Sequence, residues 1–220
     1  MDEIIVQIAR ALACVARLRI LSSLASVHET PPTALSAGLN MPMDGVCDHL
    51  RRLSSAGLIR RRRSGVWCYC VAQSPYSDRT VSGRIAAWLF DMLKRPANVL
   101  KDCGVGQAGG LSAAEQEAQL HRVLFEAATA FTNVRRLQML RRLVRGDVVN
   151  VETLTRELSM SESAVSRHTA KLIRRGYVQV AVTGRLLAYR LASAFRTPVH
   201  ARLFEIVRGA WKRSSTSGGA

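Results

Sequence analysis

In the second half of the chain, apolar residues recur at helical spacing and then switch to alternation. Val134, Leu137, Leu140 and Leu143 fall three apart, as along one face of a helix. Val151 to Leu158 predicts a short helix and Ser161 to Arg174 a longer one. Ser161, Glu162 and Ser163 supply N-capping oxygens and first-turn negative charge, and Gly176 stops the helix as a left-handed C-cap residue does. From there the period becomes two. Tyr177 to Val182 and Leu186 to Leu191 alternate on either side of Thr183-Gly184-Arg185, which predicts a two-stranded hairpin. In the first half, Leu58 to Arg63, Ser64-Gly65 and Val66 to Val71 read as the same hairpin, one residue shorter after the turn. Longer helices are predicted over Thr80 to Leu100, Leu111 to Ala130 and Ala194 to Arg213.

The two halves are one unit written twice. Leu18-Arg19-Ile20-Leu21 returns as Leu137-Gln138-Met139-Leu140, Met41 as Met160, His49 as His168, Gly57 as Gly176 and Gly65 as Gly184, all at an offset of 119. The offset holds without a gap from Ala11 to Gly65, and fourteen of those 55 positions are identical. Matched apolar positions without an insertion imply one fold used twice. The order helix, helix, helix, hairpin is that of a winged helix, so the expected fold class is mainly α with small β-hairpins. The expected divisions are a first copy over residues 1–102, a linker over 103–110, a second copy over 111–213 and a frayed tail over 214–220.

Composition narrows the function. The 220 residues are 48% hydrophobic, enough for a substantial core. Thirty-two Lys and Arg against 16 Asp and Glu leave a net charge of +16, divided +6 and +10 between residues 1–110 and 111–220. That balance favours a polyanionic partner, nucleic acid above all. No apolar run approaches a membrane span and the first residues do not read as a signal peptide, so the expectation is a cytoplasmic protein without membrane contact. Five Cys, an odd count, predict reduced thiols and no disulfide scaffold.

Ser161-Glu162-Ser163-Ala164-Val165-Ser166-Arg167-His168, followed by Leu172 and Gly176, resembles the recognition helix of the ArsR family of bacterial winged-helix repressors. Ala13-Cys14-Val15-Ala16-Arg17-Leu18-Arg19-Ile20-Leu21 is similar to that family's second-helix signature. The resemblance implies a sequence-specific DNA-binding transcriptional regulator, a repressor, that dimerises through its terminal helices. A tandem chain departs from the single-domain pattern and implies an internal pseudo-dimer or a homodimer. The first copy matches less well, because Pro42 to His49 places Asp44, Asp48 and a helix-weakening Gly45 where a reading helix faces DNA.

Helical geometry places Glu162, Ser163, Ser166 and Arg167 on one side, opposite Val165, Thr169 and Leu172, where the two serines and the arginine can reach base edges and phosphates together and Glu162 either accepts from a cytosine amino group or caps the helix. Ser161, His168, Lys171 and, on the first copy, Arg51 complete the candidate contacts on the helices. Arg60, Arg61, Arg62 and Arg63 lead into the first wing tip, where at least two can lean towards a phosphate backbone, whereas the second wing offers chiefly Arg185 and Arg190. The expectation is that copy 2 reads sequence and copy 1 grips backbone. Pairing Tyr69 with Tyr189 sets Cys70 against Arg190, so Trp67, Tyr69 and Val71 are expected to pack inward and Cys68 and Cys70 to be partly exposed. With Cys47 on the reading face opposite Ser166, they are candidate thiol-switch or soft-metal residues for a redox, metal or small-molecule effector.

The family's Cys-x-Cys-x-x-Cys metal motif is missing, no metal or cofactor is assigned, and no phosphate loop, zinc-protease helix or nucleophile elbow supports an enzyme. The competing reading is a tandem winged-helix interaction protein of chromosome organisation or a replication protein.

Overall fold

The computed structural model describes residues 1–27, 29–105, 110–184 and 186–216. Copy 1 contains α1 (Asp2–Leu12), α2 (Val15–Ser26), α3 (Pro32–Leu39), α4 (Met43–Ser55), β1 (Arg60–Ser64), β2 (Trp67–Val71), α5 (Val81–Lys94) and α6 (Pro96–Asp102). Copy 2 contains α7 (Ala113–Thr129), α8 (Val134–Leu143), β3 (Val149–Asn150), α9 (Val151–Leu158), α10 (Glu162–Arg174), β4 (Val178–Thr183), β5 (Leu186–Leu191) and α11 (Pro198–Thr216). Thus α3 and α9, and likewise α4 and α10, begin and end 119 residues apart. So do two left-handed residues that are not glycine, Asn40 at φ 50° and Ser159 at φ 49°, which cap α3 and α9. None of the helices among the described residues is long and apolar enough to cross a membrane.

Several boundaries differ from the sequence expectation. The single helix over Thr80 to Leu100 is two, because Pro96 lacks an amide donor and pushes Arg95 to φ −134°, ψ 53°, outside the helical region. The last helix starts at Pro198 rather than Ala194 and runs to Thr216, so residues 214–216 of the expected tail are helical. Of the expected linker, residues 106–109 lie outside the described residues, as do residues 217–220.

One buried apolar cluster runs through both copies, from Ile5 to Trp211. Equivalent helices meet: α1 packs on α7 and α5 on α11, while α2 packs on α7 and α8 on α1. That reciprocity is the pattern of a two-fold interface, here within one chain. Two polar pairs mark it. Arg141 donates to the Asp2 carboxylate at 2.6 Å, and at the positions 119 residues away the Ser22 hydroxyl and His121 Nε2 lie 2.8 Å apart. Trp211 Nε1 also donates to Asp2, with the Arg141 guanidinium 5.3 Å from the indole centroid.

The hairpins correct the expected register. Arg61 pairs with Cys70 and Ser64 with Trp67, while Val180 pairs with Tyr189 and Thr183 with Leu186, so the offset of 119 holds through both hairpins. No residue is missing from the first turn. Cys70 therefore occupies the place of Tyr189, not of Arg190, and its backbone bonds Thr30 as Tyr189 pairs with Val149. A slip of one residue exchanges the two faces of a strand. Cys70 is 0% exposed and Trp67 is 60% exposed, whereas Cys68 and Tyr69 are half-buried. The expectation of a shared, partly exposed thiol pair fails on this point.

Beneath the second hairpin an aromatic cluster fills the core. Tyr177 is buried, donates its hydroxyl to the Ala127 carbonyl at 3.1 Å, and meets Phe131 edge-on at 5.0 Å. His200 lies 5.5 Å from the Tyr177 ring, its Nδ1 is 2.8 Å from the Thr197 hydroxyl, and its Nε2 is buried without a hydrogen-bond partner among the described residues. Burial, reinforced by Arg196 and Arg175 and opposed by Glu126, lowers its pKa to about 4.

Two outcomes are expected. His200 must be neutral to stay buried, while the unfolded chain takes up its proton near pH 6.5, so its contribution is intact above that pH and lost as pH falls towards about 4. Urea titrations should show stability falling across that window by up to about 3 kcal/mol more in the native protein than in His200→Leu. Equal pH dependence of the two would contradict the assignment. In timed alkylation read by mass spectrometry, Cys68 should react well before Cys70, whose thiol pKa burial raises. Matching rates would put Cys70 back at the surface.

Candidate nucleic-acid interface

The candidate interface comprises α4, α10 and the wings beside them. Helix α10 packs on α8, α9 and β4 through Val165, Thr169 and Leu172, all buried. Its start is fixed by Ser161, whose hydroxyl accepts from the Ala164 amide at 3.3 Å and lies 3.1 Å from the Ser163 hydroxyl. Ser163, Ser166 and Arg167 are exposed together on the opposite face, and Arg167 has no ion pair or hydrogen-bond partner among the described residues. His168 and Lys171 flank it, half-buried.

The electrostatics of this face are one-sided. The pKa of His168 is lowered by burial and then by Arg136, Arg167 and Arg135; that of Lys171 is lowered by burial and then by Arg175, Arg174 and Arg136. Among the described residues no carboxylate shifts His168 or Lys171 itself, although Arg175 is paired with Glu126 and Glu162 is exposed in the first turn of α10. Crowded cations of this kind are what a polyanion would relieve.

The matching face of copy 1 is different in kind. Asp44 replaces Ser163, Cys47 replaces Ser166 and Asp48 replaces Arg167. Asp48 accepts from Arg52 Nε at 2.7 Å and from Arg51 at 3.1 Å, and the Arg52 hydrogen bond holds its carboxyl below the usual range. Arg51, expected as a DNA contact, therefore faces its own helix's carboxylate. Cys47 is half-buried, near enough to Cys70 to affect its titration.

The four-Arg run is not uniform either. Arg62 is held by Glu29 through two bonds of 2.8 and 2.6 Å and lies 5.4 Å over the Tyr69 ring. Arg61 reaches the Cys70 thiol, while Arg60 and Arg63 are exposed with no partner among the described residues. On the second wing Arg190 is exposed and Arg185 lies outside the described residues. That wing shows Val180, Val182 and Leu187 to solvent where the first has Arg61, Arg63 and Cys68.

Two other cations have a role that sequence reasoning missed. Arg17 donates to the Ala11 and Arg10 carbonyls at 2.7 and 2.6 Å, and Arg136 donates to the Ala130 and Thr129 carbonyls at 2.8 and 3.1 Å. Each ties the end of its copy's first helix to the second, satisfying orphan carbonyls. Their identity across the repeat was the available signal. Among the described residues no three His, Cys, Asp or Glu side chains gather as a metal site.

No family model matches the chain, and no curated protein does. Among solved structures it is similar to HlyU from Vibrio cholerae N16961, with 32% identity over 40% of this chain and 90% of that one at a TM-score of 0.34. For reduced HlyU from the same organism the identity is 33%, over 44% of this chain and 96% of that one, at a TM-score of 0.33. A homodimeric winged helix-turn-helix DNA-binding domain, Mb0332 fragment 1–100 from Mycobacterium bovis, described as a possible ArsR-family transcriptional regulator, shares 25% identity over 51% of this chain and 97% of its own, at a TM-score of 0.39. By its own element order and strand pairing, the chain is a mainly helical winged-helix protein in which each half carries a helix-turn-helix followed by an antiparallel hairpin.

Proposed function

We propose that the chain is a DNA-binding transcriptional regulator of ArsR type in tandem form, a repressor, in which copy 2 reads bases and copy 1 grips the backbone. The observation that carries this reading is the exposed face of α10, where Arg167 stands without a partner among the described residues, with Ser163 and Ser166, beside the crowded His168 and Lys171. An exposed guanidinium on a reading helix suits bidentate contact with guanine, and hydroxyls suit either base edges or phosphates. Arg60 and Arg63 suit phosphate contact, which carries affinity without sequence. On α4 the Asp48 carboxylate occupies the place of Arg167 and neutralises Arg51 and Arg52, which favours gripping over reading. The exposed Val180, Val182 and Leu187 favour a second reading, in which the second wing meets a protein partner.

Duplex binding measured against salt separates the roles. Arg167→Ala should cost about 1–3 kcal/mol on a selected site and relax preference at one or two base pairs. Replacing Arg60 and Arg63 together should weaken all sequences alike and lower the salt slope by about 2. Asp48→Asn should strengthen non-specific binding, because it frees Arg51 and Arg52. If Arg167→Ala changes neither affinity nor preference, copy 2 is not the reader; if no duplex is bound even at low salt, the protein-interaction reading replaces this one.

A further inference from the structure

Copy 2 seals the corner between its first helix and the end of its recognition helix with charge. Arg175, which follows α10, lies 3.5 Å from Glu126 of α7 and 5.9 Å from the Phe125 ring centroid, and Arg196 donates to Glu126 at 2.8 Å. At the positions 119 residues earlier, copy 1 has Ala56 in place of Arg175 and Gln7 in place of Glu126. Neither can form that ion pair. Gln7 turns its amide to the Ser55 carbonyl instead, at 2.8 Å.

What remains is a cleft of about 390 Å³ between α1, the end of α4, residues 76–82 and α11 of the other copy. Its wall includes Ile4, Tyr76, Arg79, Thr80, Val81 and Ala210. Ile4 and Tyr76 are exposed, and Arg79 is exposed with no hydrogen bond or ion pair among the described residues. The Tyr76 ring crosses the end of α4 so closely that a Cβ on Gly57, at φ 70°, would come within 2.5 Å of it. One wall of the cleft thus rests on the residue that terminates the recognition helix.

We propose that this cleft is a regulatory site for a small amphiphilic carboxylate. The apolar chain or ring lies against Ile4, Tyr76, Val81 and Ala210, and the carboxylate pairs with Arg79. The volume is in the range of small-ligand pockets, and apolar walls with one charged anchor are their usual composition. A guanidinium with no other partner offers a carboxylate two parallel hydrogen bonds. The +16 net charge draws an anion in and disfavours a cation of the same shape. Because the cleft touches both the end of α4 and α11, its occupant bears on the first recognition helix and on the intrachain interface at once. The regulatory part rests on the DNA-binding reading: a ligand preferring one arrangement of these helices changes DNA affinity by its preference, and DNA changes the ligand's affinity by the same factor.

Calorimetric titration of the full chain with decanoate, and with 1-decanol as the uncharged control, tests the site. Decanoate should bind saturably at one per chain and more tightly than decanol. Arg79→Gln, which removes the anchor, and Ile4→Trp, which fills the mouth, should each weaken it at least about tenfold. Both positions are exposed, and thermal melts check that the variants fold. In the same buffer, saturating decanoate should shift duplex affinity at least about fivefold in the native chain and not in Arg79→Gln. Absence of saturable binding, or binding that neither variant weakens, overturns the site. Decanoate binding as described with unchanged duplex affinity overturns the regulatory role alone. If the chain binds no duplex at low salt, the DNA reading has failed, and the calorimetry still decides the site.

Discussion

The contact of α1 with α7 is the constraint from which the rest of the structure follows. Ile5, Ile8 and Leu12 on one helix and Leu120, Leu124 and Ala127 on the other are buried in the core shared by the two copies. Burying each large side chain is worth about 1.5–3 kcal/mol, so leaving this face in water would be costly for either half. Since the two helices occupy equivalent places in a repeat, their pairing generates an approximate two-fold relation. That relation brings α5 to α11 and sets the Asp2–Arg141 and Ser22–His121 pairs at matching points. A homodimer assembles such a pair only above its dissociation constant; one chain holds it at any concentration.

Covalent linkage has a second consequence. In a homodimer every substitution appears in both halves, whereas here each half can change alone, and the three places that matter have done so. The recognition face is Ser163, Ser166 and Arg167 in one copy and Asp44, Cys47 and Asp48 in the other. Two arginines and a cysteine line the first wing where two valines and a leucine line the second. The corner behind the recognition helix is sealed by Arg175 and Glu126 in copy 2 and open beside Ala56 and Gln7 in copy 1. The proposed division of labour between a reading half and a gripping half fits this pattern, and the open corner is the place from which control of the gripping half is proposed.

The two-fold plan was legible because the offset of 119 has no gap: aligned leucines fix helix faces, and Gly57 and Gly176 fix helix ends. The wing register was not legible from apolar spacing. Matching Val66 to Leu186 looks reasonable by hydrophobicity, yet strand pairing matches Trp67 to Leu186, and one residue of slip turned Cys70 from surface to core. Carrying the offset through the turn glycines, Gly65 and Gly184, would have fixed it. The break at Pro96 followed from a local rule that the long apolar period concealed. The fate of individual arginines was less legible. Nothing near Arg62 announces Glu29, 33 residues away, whereas Arg136 bonds carbonyls only six and seven residues before it, a contact whose one sequence signal is its repetition at Arg17.

In the reading proposed, one chain presents two unequal halves of a DNA reader. Selection of bound fragments from random duplex DNA, followed by chemical footprinting on the winner, should yield a motif with one strongly specified half, adjoined by a stretch where the protein protects phosphates but tolerates any base. A palindromic motif with two equally specified halves would mean that both copies read sequence.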